Sequence, residues 1–480
     1  MTTRLTTRRA RFTTAGLLLG ATALVGARAA WLAPPPAGVT GTTTVTAPGG
    51  GRVTFTGTVD RTRVLRGGDG SVRMELVMRA GADAERAASV RRPTDLVIVL
   101  DRSGSMMGEK IEQARAAVRE LVGQLAPDDR FALVTYANAA TVTIPFAAAD
   151  TRARGGWLET LASVTADGGT NISGGLDLGM DLVESSRKGG RASRVILISD
   201  GLANQGDPSN DGLLRRAGRA ARGEYVLSTV GVGADFNEYL MTALADAGTG
   251  NYYFAQAGAD LASVFAREFD AARTTVASAV AVDVEPGAGI RVVDAGGYPL
   301  ESTGSGVRFR PGALFAGQER RIWVTLAVPN DVLGDRDLGR FTLAYGDSAK
   351  RTTLALAEVP RIACVAAEDD FYAGIDKDAW ARSVVVDSYN KMQEEVAREV
   401  KEGRRDQALG RLKAFKDEAG AMNQRMRAPA VAAQIGAADR LEGDVTAAFE
   451  GENQGAKQNE LSKRKSAESV DARRVGAKKQ

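Results

Sequence analysis

The sequence predicts an α/β protein: a doubly wound, mostly parallel sheet flanked by a β-sandwich-like domain, with a C-terminal α-helical region. Three observations predict it. Leu96 to Leu100 is an unbroken apolar run, as a strand buried on both faces requires. Strand-like and helix-like periods then alternate to about residue 272, which implies βα units. Beyond that, a period of two returns, and a helical period takes over from about residue 366.

Taken in chain order, residues 1–29 resemble an export signal. Arg4, Arg8, Arg9 and Arg11 precede an apolar Ala15 to Val25, and Ala27-Arg28-Ala29 suits a signal peptidase. The expectation is an exported protein, secreted, periplasmic or envelope-associated, with an uncleaved N-terminal anchor as the alternative. Loss of that stretch and its five Arg takes the formal charge from +3 to −2. The basic balance is therefore no sign of nucleic-acid binding. Residues 30–50, rich in Pro, Gly and Thr, read as a linker. In 51–91 the alternation of Val53, Phe55 and Val59, then Val72, Met74, Leu76 and Met78, gives half-buried strands.

Within 92–272, Leu96 to Leu100, Phe131 to Val134, Val195 to Ile198, Tyr225 to Val230 and Tyr252 to Phe254 read as strands. Helices come from Ile111, Ala114, Val118, Leu121, Val122 and Leu125, from Leu176, Met180 and Val183, from Phe236, Leu240 and Leu244, and from Leu261, Val264, Phe265 and Phe269. Strand periodicity resumes in 273–365, with Val280, Val282 and Val284 and again from Trp323 to Val328. Its likeness to 51–91 suggests one β-domain interrupted by the α/β unit. Residues 366–450 carry three helical stripes, punctuated by Gly403 and Pro429. The tail, 451–480, has eight Lys/Arg, four acids and no period, and is expected to be disordered.

Composition narrows the chemistry. The chain has no His and one Cys among its 480 residues. A Ser-His-Asp triad, a Cys-His dyad, a His-ligated zinc and an internal disulfide are all excluded. A bound metal must take oxygen ligands, which points to Mg²⁺, with Ca²⁺ or Mn²⁺ as alternatives.

Such ligands converge at three places. The first buried strand ends in Asp101-Arg102-Ser103-Gly104-Ser105. A second ends in Ser199-Asp200-Gly201. Between them, Asp167-Gly168-Gly169-Thr170-Asn171 is a glycine-rich loop with a hydroxyl. Open α/β sheets bind ligands at the carboxyl ends of their strands, so the three segments should meet.

These motifs, in this order, resemble the metal-ion-dependent adhesion site of von Willebrand factor type A (VWA) domains, over about residues 92–272. The resemblance implies that Ser103, Ser105 and Thr170 ligate the metal directly and that Asp101 and Asp200 act largely through water. It implies an open position for a carboxylate from a protein partner. It also implies that changed ligation at Thr170 shifts the last helix, Leu261 to Phe269. The segment order resembles secreted bacterial VWA proteins and, more loosely, inter-alpha-trypsin inhibitor heavy chains.

Other motifs are weaker. Gly104 to Lys110 lacks the spacing of a phosphate-binding loop, since Glu109 and Ile111 flank its Lys. Gly231-Val232-Gly233 lacks the third glycine of a dinucleotide turn. Asn171-Ile172-Ser173 matches a glycosylation sequon inside the proposed metal loop, where a glycan would block the site. Cys364, beside Ile362 and Val365, reads as a buried apolar residue. No nucleophile–base pair is evident. The expectation is a binding module and not an enzyme, with a structural envelope component whose VWA-like domain is inert, or a hydrolase subunit, as the alternatives.

Overall fold

In the computed structural model the described residues are 44–46, 53–80, 93–186, 191–233, 236–255, 258–346 and 351–474. The export signal expected over 1–29 lies outside them. Among the described residues, no helix is long and apolar enough to cross a membrane.

The α/β part is built on a six-stranded sheet. Its spatial order is Thr249–Ala255, Val226–Val232, Ala192–Ser199, Thr94–Asp101, Arg130–Tyr136 and Ala140–Ala148. Every pairing is parallel except the last. All eight residues of Thr94–Asp101 are buried, because the strand is central and covered on both faces. Helices Glu109–Gln124, Thr151–Ala162 and Gly258–Arg273 cover one face, with Leu96, Ile98 and Leu100 turned toward them. Helices Ile172–Ser186, Asn210–Arg222 and Glu238–Ala247 cover the other, over Val97 and Val99.

From Thr94–Asp101 the chain winds outward one way to Ala140–Ala148. It then returns to the other side of the central strand at Ala192–Ser199. The strand order reverses between these two strands, and the crevice at their carboxyl ends is the topological switch point. The sequence reading missed the antiparallel edge strand. Its alternating Val142, Ile144 and Phe146 carry a strand signal, and Pro145 is tolerated because the strand is at the edge. The helix Thr151–Ala162, capped by Asp150, was also missed.

The β-domain is assembled from both sides of the α/β unit. Ser71–Ala80 pairs antiparallel with Glu319–Ala327 in a nine-residue register running from Arg79–Glu319 to Ser71–Ala327. A second sheet centres on Thr275–Pro286 and Gly339–Gly346. Phe55, Met74 and Leu76 share one core with Val282, Phe309 and Phe341, so the two sheets bury a common interior. Cys364 belongs to that core. Thr44–Thr46 corrects the expected linker over 30–50, since it pairs with Val53–Val59 as an edge strand.

The C-terminal region is a bundle of four long helices: Tyr389–Lys401, Arg405–Met426, Pro429–Ala448 and Gln454–Arg474. Each packs on the next, and the last returns to the first. Gly403 takes a positive φ at the first turn, and Arg427 adopts a left-handed cap before Pro429 starts the third helix. The fourth helix corrects the expectation of a disordered tail. Its helical stripe is short on apolar residues, but Leu461 joins the bundle core, Ser462 and Ser466 are buried, and Lys463 Nζ lies 4.6 Å from the Phe236 ring centroid. Ion pairs in which the carboxylate is buried and the cation partly exposed tie the bundle, and the short helix Lys377–Ser383 that precedes it, to both other parts. Arg382 meets Glu75 of the β-domain at 3.1 Å. Lys401 meets Glu238 of the α/β unit at 2.7 Å.

Candidate functional site

The three segments singled out in the sequence meet at the switch point. Asp101 ends the central strand and is fully buried. Its Oδ1 accepts the Ser103 amide at 2.8 Å, which turns the chain sharply off the sheet. Its Oδ2 accepts the Ser199 hydroxyl at 2.8 Å, which joins it to the neighbouring strand end. Burial pushes the Asp101 carboxyl above its ordinary value. Hydrogen bonds from Ser103 and Ser199 oppose the rise, and the nearby Asp200 charge adds to it.

Ser103 Oγ and Ser105 Oγ lie 3.0 Å apart. The Ser105 hydroxyl donates to Asp200 Oδ1 at 2.7 Å. Asp200 follows Ser199 directly and its side chain is wholly buried. Two hydroxyls and two carboxylates are thus linked without any intervening residue type.

Thr170 arrives on a loop sewn to the first. Gly104 N donates to the Gly168 carbonyl at 2.9 Å, and Asp167 N to the Arg102 carbonyl at 2.7 Å. Gly168 has a φ of +82°. At Gly169 an added Cβ would meet side-chain atoms of Gln205, Asn138 and Asn204 within 2.8–2.9 Å, so a larger residue would push aside the side chains that hold the loop. The Thr170 hydroxyl faces the same space as Ser105. A Cβ built on Gly201 would lie 3.4 Å from Ser105 Oγ and 3.6 Å from Thr170 Oγ1.

All five expected residues, Asp101, Ser103, Ser105, Thr170 and Asp200, therefore border one cluster at one sheet edge. The sequence reading missed the residues that position them. Asn138 Oδ1 accepts the Gly169 amide at 2.8 Å, and Asn204 Oδ1 accepts the Thr170 amide at 2.8 Å. Lys110 Nζ lies 2.5 Å from Asp200 Oδ2 and 3.2 Å from the Ser105 carbonyl. Asn138 and Asn204 each follow the carboxyl end of a sheet strand, and that placement was the available signal.

The donor set is hard oxygen throughout, hydroxyl and carboxylate, which suits Mg²⁺. Among the described residues no three acidic or sulfur ligands cluster. Two carboxylates and three hydroxyls would offer a divalent ion little protein charge. Two large apolar side chains, Met107 and Leu202, are exposed on the loops that carry Ser105 and Asp200.

Fold and site together define a class: an open-sheet α/β domain with a polar ligand crevice at its switch point. Residues 95–267 match the family model described as von Willebrand factor type A domain, and this segment of the chain is a VWA domain. Domains of this family commonly mediate protein–protein interactions.

A protein of Synechocystis sp., uncharacterized protein sll0103, is 25% identical over 280 residues, 56% of this chain and 65% of that protein. Human inter-alpha-trypsin inhibitor heavy chain H4 is 31% identical over 163 residues, 32% of this chain and 17% of that one. The chain thus spans less than two thirds of either relative's length. Among solved structures, a von Willebrand factor type A protein from Catenulispora acidiphila superposes with a TM-score of 0.65 at 16% identity. That match covers 91% of this chain and 99% of the other, and the likeness is one of fold.

Proposed function

We propose that this chain is an exported, metal-dependent protein-binding module whose partner contributes a carboxylate to a Mg²⁺ site. The observation that carries the reading is the convergence of Ser103, Ser105, Thr170, Asp101 and Asp200 at the switch point. Ser103, Ser105 and Thr170 would hold the ion, and Asp101 and Asp200 would orient its water. Mg²⁺ prefers six ligands and keeps waters, so a site short of charged protein ligands favours an acidic guest. The exposed Met107 and Leu202 beside the site suit a protein surface more than a small ion or sugar. The export half of the proposal rests on the basic and apolar pattern of residues 1–29.

The test is a pull-down from envelope extract with the full chain, in Mg²⁺ and in EDTA, with Asp101→Ala in parallel. A partner retained in Mg²⁺, and lost both in EDTA and with the variant, supports the reading. A partner indifferent to metal and to Asp101 overturns it and moves binding to the β-domain or the helical bundle.

A further inference from the structure

Lys110 is the second residue of helix Glu109–Gln124, directly after the loop that carries Ser103 and Ser105. Its ammonium reaches back over that loop to Asp200 Oδ2 at 2.5 Å and to the Ser105 carbonyl at 3.2 Å. The two oxygens of Asp200 are thereby divided. Oδ1 takes the Ser105 hydroxyl, one of the proposed metal ligands, and Oδ2 takes Lys110. The carboxylate is wholly buried, whereas the Lys110 side chain keeps 29% exposure and an open route to solvent.

A second feature makes room for this reach. Gly233, past the end of strand Val226–Val232, has a φ of +73°. A Cβ there would come within 3.2 Å of Lys110 Cε and 3.5 Å of its Nζ. The bare glycine thus leaves the lysine stem a path across the strand end. The Gly231-Val232-Gly233 turn, which fails as a dinucleotide fingerprint, has this spatial use.

We propose that Lys110 is a tethered counter-cation of Asp200 that competes with a divalent ion and so sets the metal affinity of the site. The inference rests on the metal reading above. A buried carboxylate without a partner is costly, so Lys110 stabilises the metal-free domain. Any divalent ion that draws on Asp200 must displace or share that contact, and the partly exposed Lys110 can swing to water at low cost. The lysine sets a threshold: the site fills only when divalent ion is abundant, and the metal-free domain keeps its shape meanwhile.

The test is titration of Mg²⁺ into the EDTA-stripped full chain by calorimetry, with melting temperatures recorded in EDTA and in saturating Mg²⁺. The proteins are wild type, Lys110→Met and Arg119→Met, the last removing the same charge from an exposed position further along the same helix. Lys110→Met should bind Mg²⁺ about tenfold more tightly than wild type, while Arg119→Met stays within about twofold, since a direct buried contact outweighs a screened surface charge. Lys110→Met should melt lower than wild type in EDTA and recover in saturating Mg²⁺. Equal or weaker Mg²⁺ binding by Lys110→Met, with wild type binding normally, overturns the competition and leaves the metal reading intact. A melting loss equal in EDTA and in Mg²⁺ makes Lys110 a structural residue and also overturns it. No Mg²⁺ uptake by any of the three proteins sinks this inference together with the metal reading.

Discussion

Arg194 and Glu268 form an ion pair at 2.5 Å in which both side chains are almost wholly shielded from water. Glu268 lies on the last helix of the α/β unit, and Arg194 lies near the start of strand Ala192–Ser199, at the edge of the sheet opposite the candidate site. The carboxylate is fully satisfied: Ser228 donates to it at 2.8 Å, Asn251 at 2.8 Å and Tyr253 at 2.6 Å. Arg194 also stacks 5.5 Å from the ring centroid of Phe315, in the β-domain. One glutamate therefore fastens the last helix to three neighbouring strands beside the junction with the second domain.

Glu268→Gln should destabilise the protein by about 3 kcal/mol, because it leaves Arg194 buried without its counter-charge. Urea denaturation of the two proteins measures the difference. Arg194→Met with Glu268→Leu should recover only part of the loss, since an apolar pair removes both desolvation costs but leaves the Ser228, Asn251 and Tyr253 donors without their acceptor. A double variant no more stable than Glu268→Gln would show that the strand hydrogen bonds, and not the ion pair, carry the fastening.

The same pair fixes a pH dependence. Burial pushes the Glu268 carboxyl up, but Arg194 and the hydrogen bonds from Asn251, Tyr253 and Ser228 pull it further down, leaving it below the ordinary 4.5. A carboxyl depressed in the folded state contributes stability that is complete above its unfolded value and is lost as pH falls through the folded one. The stability gap between wild type and Glu268→Gln should be constant near neutrality and shrink below about pH 4.5, where the unfolded state begins to take up the proton. Denaturation curves of both proteins between pH 7 and pH 3 check this, and a gap that widens in acid would contradict the sign.

Gly201→Ala should separate metal binding from folding. The new methyl would stand 3.4 Å from Ser105 Oγ and 3.6 Å from Thr170 Oγ1, distances the fold accepts as ordinary contact. It would occupy the space those hydroxyls share, so Mg²⁺ affinity should fall about tenfold or more, given how poorly Mg²⁺ tolerates distorted geometry. Melting in EDTA should stay close to wild type. Calorimetric titration alongside the melt reads both quantities.

The fourth bundle helix predicts protease resistance. Gln454–Arg474 contains Lys457, Lys463, Arg464 and Lys465, sites that trypsin would remove at once from an unstructured tail. Under native conditions cleavage at Lys463 should be far slower than in urea, because that residue is buried against Phe236. Truncation after residue 453 should lower the melting temperature by several degrees, at about 2–4 °C per kcal/mol for large domains. Rapid native cleavage at Lys463 would return the tail to disorder.

Much of this architecture is legible in the chain because local pattern and global fold agree. Leu96 to Leu100, five apolar residues within an alternating strand–helix pattern, fits a strand covered on both faces, and Asp101, Ser103 and Ser105 follow it at the spacing of a turn off the sheet. Strand polarity then sends Ser199-Asp200 to the same edge, and glycines 168 and 169 mark the loop that brings Thr170. These features need only the period of the elements and the rule that ligands sit at strand carboxyl ends.

Contacts between distant segments were settled only in three dimensions. Nothing local distinguishes Lys110 from a solvated helix residue, because its role depends on Asp200, ninety positions away, and on the bare backbone of Gly233. Glu268 reads as an ordinary charge until Arg194, Ser228, Asn251 and Tyr253 surround it. The last helix looks disordered in sequence because its own apolar stripe is thin, and its order comes from burial against the first and third bundle helices and Phe236. Periodicity reports which face of an element is apolar. Which charge meets which, and whether a polar helix finds a bundle to complete, depends on residues far apart in sequence, and only packing brings those together.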